Sequence, residues 1–412
     1  MNSSQDLDGC SIDSSSVDPI TYSIEKCTEI RSDVEHEERN RLVEYQTFAN
    51  DVTRAYKRLF DDIMKYVKEE FETSLKVEGG AHCVNGVHPS DDAMEAKDTP
   101  MENLSKDSVT SFHNSWTYRL NKAVKDGTPA DFSNLFANQT YSLEKLLPRV
   151  RYLYYLLMDY NPISNRIRNL FIPSQLKGSW DRDENCREIC VCSIGGGPGY
   201  DHISLCILSS FFRYVQSSVH ARLYGVRAIR TRVFDLFADD WQSIMDPLQL
   251  STNGALSRTV KEIALEFGEP LNYSQEERVQ ESKMTMHSCD IRMDLDSSEN
   301  KELRMVLERT DIICLQYILH ENSSLIAPDK NHSTSSNTMI RGVVYDLLKR
   351  ANVGTFMVCT DSNNFVWPLL KASAEACGWI FVGDTEKDGK ITLGPKSFVI
   401  LERIRIDCVN YV

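Results

Sequence analysis

Several residues in the second half of this 412-residue chain could do chemistry on one shared ligand. Gly195, Gly197 and Gly199 stand in the run Gly195-Gly196-Gly197-Pro198-Gly199-Tyr200-Asp201, directly after the apolar stretch Ile189 to Ile194. Glycine admits positive φ and adds no side chain, so such a turn lets the backbone approach a nucleotide-like ligand closely. Asp235 and Asp290 each close a later apolar run, where an ionised carboxylate can accept charge-assisted hydrogen bonds from hydroxyl or amino groups. Cys289, beside Asp290, offers a small apolar contact, and Gln316 and Tyr317 end a further apolar run with polar groups. His320 follows, and a neutral imidazole there could accept a proton near pH 7. Each position also has a structural reading: Asp235 or Asp201 as a helix N-cap, Asp290 as a turn cap, and His320 packed on the next helix.

These residues need a scaffold, and the patterning supplies one. Strand-like runs occur at Ile189–Ile194, Arg230–Asp235, Met284–Asp290, Asp311–Tyr317, Thr355–Thr360, Trp379–Val382 and Ser397–Glu402. Helical patterns separate most of them: Ile203–Val215, Trp241–Leu248, Thr259–Phe267, Met339–Lys349 and Val366–Ala376. Such alternation predicts an α/β fold with a doubly wound, mostly parallel seven-stranded sheet. The last two strands, joined without a helix, predict an antiparallel edge. Ser323–Thr338 is a polar loop that this fold would place at the ligand edge.

The first half reads differently. Residues 1–37 are rich in Ser, Asp and Glu and are expected to form a disordered acidic tail. A helical extension over 38–186 precedes the sheet domain at 187–412. It contains an amphipathic helix over Glu38–Leu75, a flexible insert at about 76–108, and helices over Phe112–Val124 and Tyr141–Met158, where Pro148 predicts a kink. Asn161-Pro162 reads as the start of one more helix through Phe171.

The totals exclude several classes. A chain with 41% hydrophobic and 26% charged residues can bury a sizeable core. No apolar run approaches the ~20 residues that span a bilayer, and Met1–Asp18 has neither the basic nor the apolar region of a signal peptide. A soluble, cytoplasmic or nuclear protein is expected. Of the twelve cysteines, Cys190, Cys192, Cys206, Cys314 and Cys359 lie within apolar patterns, where a reduced thiol acts as a small hydrophobe. Cys186, Cys190 and Cys192 have no second pair at zinc spacing, so no metal site is expected. A net charge of −14 disfavours broad affinity for nucleic acid. The basic stretch from Arg149 to Arg187 reads as a solvated helix face or as a local RNA groove.

Glycine spacing narrows the ligand. A phosphate-binding P-loop ends in Gly-Lys-Ser/Thr, which is absent here, and the third glycine slot of the dinucleotide fingerprint is filled by Tyr200. The pattern is G-x-G-x-G. With Asp235 closing the second strand, Cys289-Asp290 the third, and Asp311-Ile-Ile-Cys-Leu-Gln-Tyr forming the fourth, residues 187–404 resemble the class I S-adenosylmethionine-dependent methyltransferase superfamily. That resemblance implies a Rossmann-like methyltransferase fold and S-adenosyl-L-methionine as cofactor. It further implies a glycine turn against the methionine and ribose, Asp235 on the ribose hydroxyls, Asp290 on the adenine amine flanked by Cys289 and Ile291, and Gln316 and Tyr317 beside the sulfonium or the methionine carboxylate. The step from Gly199 to Asp235 exceeds the usual spacing of about 20 residues, so Arg222–Val226 competes as the second strand.

The fourth strand continues as Gln316-Tyr317-Ile318-Leu319, without the tetrapeptide that one branch of the superfamily uses to grip planar amino nitrogens. Methylation of base amines is therefore disfavoured. RNA or a protein side chain is the favoured methyl acceptor, because of the basic stretch and the helical extension. Two other functions compete: a catalytically inactive methyltransferase-like scaffold or cofactor sensor, and an NAD(P)-dependent oxidoreductase.

Overall fold

Seven short apolar runs pair into one sheet because each carries enough buried surface to lie between two helical layers. The structure is a computed structural model that describes residues 54–76, 125–126, 135–159, 170–171, 188–219, 228–266, 282–326, 339–384, 395 and 397–404. The expected tail at 1–37, the insert at 77–108, the helix over 112–124 and the competing strand at 222–226 lie outside the described residues. Contacts divide the chain into Met1–Arg58 and Leu59–Val412, and the second unit takes in the sheet together with the helix preceding it.

Helix α1 covers 54–76 and helix α2 Leu135–Asp159. The sheet domain then runs β1 (Glu188–Ile194), α3 (Tyr200–Val219), β2 (Ala228–Asp235), α4 (Ala238–Glu266), β3 (Lys283–Ser288), α5 (Lys301–Leu307), β4 (Ile312–Gln316), α6 (Gly342–Arg350), β5 (Phe356–Asp361), α7 (Trp367–Ala376), β6 (Trp379–Asp384) and β7 (Ser397–Arg403). Two single helical turns, Ile318–Glu321 and Ser323–Ile326, follow β4. The strand order is β3-β2-β1-β4-β5-β7-β6. β7 enters between β5 and β6 and runs antiparallel to both, while the other sheet pairs are parallel. This is a doubly wound, mostly parallel, seven-stranded Rossmann-like topology with an antiparallel edge. β2 pairs with β1 from Glu188↔Ala228 to Ile194↔Phe234, so Asp235 does end the second strand.

Three sequence boundaries are corrected. The two helices expected at Trp241–Leu248 and Thr259–Phe267 are one helix, α4, that passes through Pro247 and Gly254. Buried Met245, Leu248 and Ala255 outweigh the local cost of those residues, and Ser251 donates to the Pro247 carbonyl at 2.8 Å. β3 stops at Ser288, leaving Asp290 in the following turn, because the Asp290 N–H donates to Asn300 Oδ1 at 2.9 Å and its carbonyl accepts the Met293 N–H at 3.1 Å. β4 stops at Gln316, and Tyr317 leaves the strand with φ 62°.

The helices before the sheet pack on it through aromatic and aliphatic faces. Leu59, Phe60, Ile63, Val67 and Phe71 form the buried stripe of α1, and Phe60 stacks on Tyr154 of α2 at 4.9 Å. α2 is fixed to α3 by two hydroxyls: Tyr200 donates to the Ser142 carbonyl at 3.1 Å and Ser204 to the Val150 carbonyl at 2.9 Å. Cys190, Cys192, Cys289, Cys314 and Cys359 are free thiols. Among the described residues no helix is long and apolar enough to cross a membrane.

Candidate functional site

A parallel sheet whose strand order reverses leaves a crevice at the carboxyl ends of the two strands flanking the reversal. Here that point lies between β1 and β4, where chain order departs in opposite directions. The turn after β1 is shaped by its glycines. Gly195, Gly197 and Gly199 have φ of 63°, 51° and 98°. At these angles a side chain is strained. The Gly195 N–H donates to the Phe234 carbonyl at 2.7 Å, which ties the turn to the end of β2. A β-carbon on Gly195 would run into Ile318, so the turn after β4 closes down on bare backbone.

A cleft opens there, lined by Gly195, Gly197, Asp235, Cys289, Asp290, Gln316 and Tyr317 among others. Sequence reasoning singled out all seven. Gly199 and His320 are absent from the lining. Gly199 instead abuts the Met284 side chain of β3, so its missing side chain permits close packing under the turn. His320 donates its backbone N–H to Asp361 at 2.9 Å, and its ring Nδ1 is buried without a hydrogen bond. Asp361, which begins the polar run after β5, is a cap for this turn: its other oxygen accepts the Ser362 N–H at 2.6 Å.

The cleft carboxylates differ in their partners. Asp235 accepts the Phe237 N–H at 2.9 Å on one oxygen and the Gly197 N–H at 3.3 Å on the other. It therefore caps the chain ahead of α4 and also holds the glycine turn. Burial pushes its carboxyl up, while the hydrogen bonds from Phe237, Gly197 and the Trp241 side chain pull it down. With these three donors on it, the carboxylate keeps one lone-pair position for a ligand hydroxyl.

Asp290 is clamped by Arg292, whose Nε lies 2.8 Å from Oδ1 and whose Nη2 lies 2.6 Å from Oδ2. Burial would raise the Asp290 carboxyl, but the Arg292 hydrogen bonds and charge together hold it below the ordinary value. Asp201, in the first turn of α3, is buried; it accepts the Ser193 hydroxyl at 2.6 Å and the Gln316 amide. Burial raises its carboxyl against those two bonds and Arg149. The Gln316 side chain thus ties β4 to α3, and Thr360 of β5 donates to its oxygen at 3.4 Å. Cys289 is buried and its thiol is pushed up to about 12, so it stays neutral and serves as apolar wall.

Five further residues of the cleft escaped sequence reasoning as site groups: Tyr141, Arg149, Trp241, Arg292 and Glu321. Arg149, from α2, sets its guanidinium 3.3 Å from the centroid of the Tyr317 ring, and its Nη1 is buried without a hydrogen-bond partner. The left-handed Tyr317 backbone stores strain of about 1–3 kcal/mol, and cation–π contact of about 0.5–2 kcal/mol helps hold it. Glu321 stands one residue past His320. Burial pushes its carboxyl up to about 7, drawn back by Arg149 and raised further by Asp361 and Asp235. Arg149 alone had a sequence signal, as the first member of the basic stretch; Glu321 had only its adjacency to His320.

The fold and cleft define a Rossmann-like α/β protein with a crevice of mixed polar and apolar lining at its switch point. No family model matches the chain, and no curated protein matches it. Among solved structures the chain is similar to an rRNA methylase from Streptococcus thermophilus, with 12% identity, covering 53% of this chain and 89% of that one, at a TM-score of 0.23. It is also similar to an O-methyltransferase family protein from Burkholderia thailandensis, with 10% identity, covering 74% of this chain and 75% of that one, at a TM-score of 0.32. Both superpositions are too loose to bear on activity.

Proposed function

We propose that this chain is an S-adenosylmethionine-dependent methyltransferase acting on RNA or a protein side chain. The observation that carries the reading is the Gly197 N–H donating to Asp235 at 3.3 Å, which sets the glycine turn and the β2 carboxylate side by side at the switch point. The residues present fit the cofactor at three places. Asp235 has a lone-pair position left for a ribose hydroxyl, Phe234, Cys289 and Ile291 offer apolar contact for a base, and Arg149 has a buried, unpartnered N–H suited to a carboxylate. Asp290 fits less simply, since an adenine amine must share it with Arg292.

Bound S-adenosylmethionine supplies a methyl group already activated by positive sulfur. The chain's own part is to position and desolvate. The Asp235 carboxylate orients, the strained Tyr317 and its Arg149 cover wall off water, and Glu321 is the proton-accepting side chain on the cleft side of the turn that also carries His320. A nicotinamide dinucleotide is disfavoured by Tyr200 in the third glycine slot, whose buried ring is held by Ser142.

The test is calorimetry with S-adenosylmethionine, and thermal shift against NAD and NADP. Removing the Asp235 carboxylate loses charge-assisted bonds of about 1.5–3 kcal/mol, so Asp235→Ala should weaken S-adenosylmethionine at least tenfold. Stabilisation by a nicotinamide cofactor alone, or affinity untouched by Asp235→Ala, would overturn the assignment.

A further inference from the structure

The cleft contains two opposite charges that do not meet. Arg149 lies over the Tyr317 ring with Nη1 buried and unbonded. Glu321 lines the same wall, yet no ion pair joins the two, and among the described residues no donor bonds the Glu321 carboxylate. The other acids of the cleft are engaged: Asp290 by Arg292, Asp201 by Ser193 and Gln316, and Asp235 by two backbone N–H groups and the Trp241 side chain. Four carboxyls, at 201, 235, 290 and 321, face two guanidiniums, at 149 and 292. The groups that act on Glu321 are Arg149 and Tyr141 of α2, Asp235 at the end of β2 and Asp361 at the end of β5. A half-buried acid with no protein donor, facing the cleft among further acids, is suited to a cation that arrives with the ligand.

We propose that Glu321 is the residue by which this cleft separates a cationic ligand from its neutral counterpart, holding S-adenosylmethionine more tightly than S-adenosylhomocysteine. The proposal rests on the cleft being the cofactor site. Both ligands carry the same adenosine and the same amino-acid end and differ at sulfur, which is positive in the first and neutral in the second. A carboxylate on the wall of the cleft attracts the charged form and not the neutral one. Arg149 opposes the effect in part, so a discrimination of about tenfold is expected, the ratio that ~1.4 kcal/mol of interaction produces.

Isothermal calorimetry on the full chain decides the matter, with S-adenosylmethionine and S-adenosylhomocysteine measured from pH 6 to 8.5 in wild type and Glu321→Gln. The ligands' shared amino and carboxyl groups titrate alike and cancel in the ratio of affinities. In wild type that ratio should rise about fivefold across this range, since Glu321 is already partly ionised at pH 6. In Glu321→Gln it should stay flat and low. Sinefungin, which carries an amine in place of the methylated sulfur, should follow S-adenosylmethionine. A ratio independent of pH in wild type, or a rise that persists in Glu321→Gln, overturns the role of Glu321 while leaving the cofactor assignment intact. If neither ligand binds wild type, both fall. A flat wild-type series overturns the role without any variant, and Glu321→Ala serves as a second neutral variant if Glu321→Gln impairs folding.

Discussion

Replacing Glu321 by Gln should stabilise the protein, and increasingly so as pH rises. The ordinary value for this carboxyl is 4.5, and burial moves it up to about 7 in the folded chain. Between those values the folded protein holds a proton that the unfolded chain has released, so stability falls as pH rises through the window. At ~1.4 kcal/mol for each tenfold, the full displacement amounts to about 3 kcal/mol lost above pH 8, and about 2.5 kcal/mol of that is lost between pH 5 and 8.5. Glutamine is nearly isosteric and carries no charge, so it avoids the loss. Urea unfolding of both proteins at pH 5, 6, 7, 8 and 8.5 should show the Gln variant gaining on wild type by about 2.5 kcal/mol, or about 5–10 °C in Tm for a domain of this size. A difference that stays constant within ~0.5 kcal/mol across the series would show that Glu321 is not a costly buried acid. A gain in stability from removing a cleft carboxylate is the pattern expected where a site is maintained at the expense of the fold.

Two further outcomes follow from side-chain geometry. Gly199→Ala places a β-carbon against Met284 at φ 98°, so it should cost about 2 kcal/mol or more, read as a lower Tm, while Gly197→Ala, which meets only Trp241 at 3.9 Å, should cost less. Arg292→Ala removes both clamps from Asp290, so burial should then dominate and its carboxyl should titrate higher; carbon-detected NMR of the side chain would follow it, and an unmoved midpoint would contradict the clamp.

Much of the sheet was legible because its information is local. An apolar run ending in Asp, repeated at 235 and near 290, marks a strand that emerges at a polar edge, and pairing of β2 with β1 placed Asp235 in the cleft. What was not legible depends on contacts between distant segments. Arg149 reaches the cleft only because Tyr200 and Ser204 hold α2 against α3. Tyr317 has a residue type that gives no hint of φ 62°, a value imposed by the turn that follows it. His320 and Glu321 illustrate the smallest such ambiguity: adjacent residues on a helical turn point about 100° apart, and the Asp361 cap on the His320 N–H sets the start of the turn, leaving Glu321 on the wall. The helical patterns at Trp241–Leu248 and Thr259–Phe267 belong to one helix because the cost of Pro247 and Gly254 is local while the burial of α4 is not.

The placement of α2 has a consequence for how the molecule can be divided. Tyr141 and Arg149 belong to a helix that ends at Asp159, well before the first strand at Glu188, yet both form part of the ligand wall. A fragment trimmed to the strands and their crossovers would keep every glycine and aspartate of the motifs and still have one side missing. Such a truncation should bind any nucleoside poorly while looking intact by circular dichroism, so excision experiments need to begin ahead of Leu135.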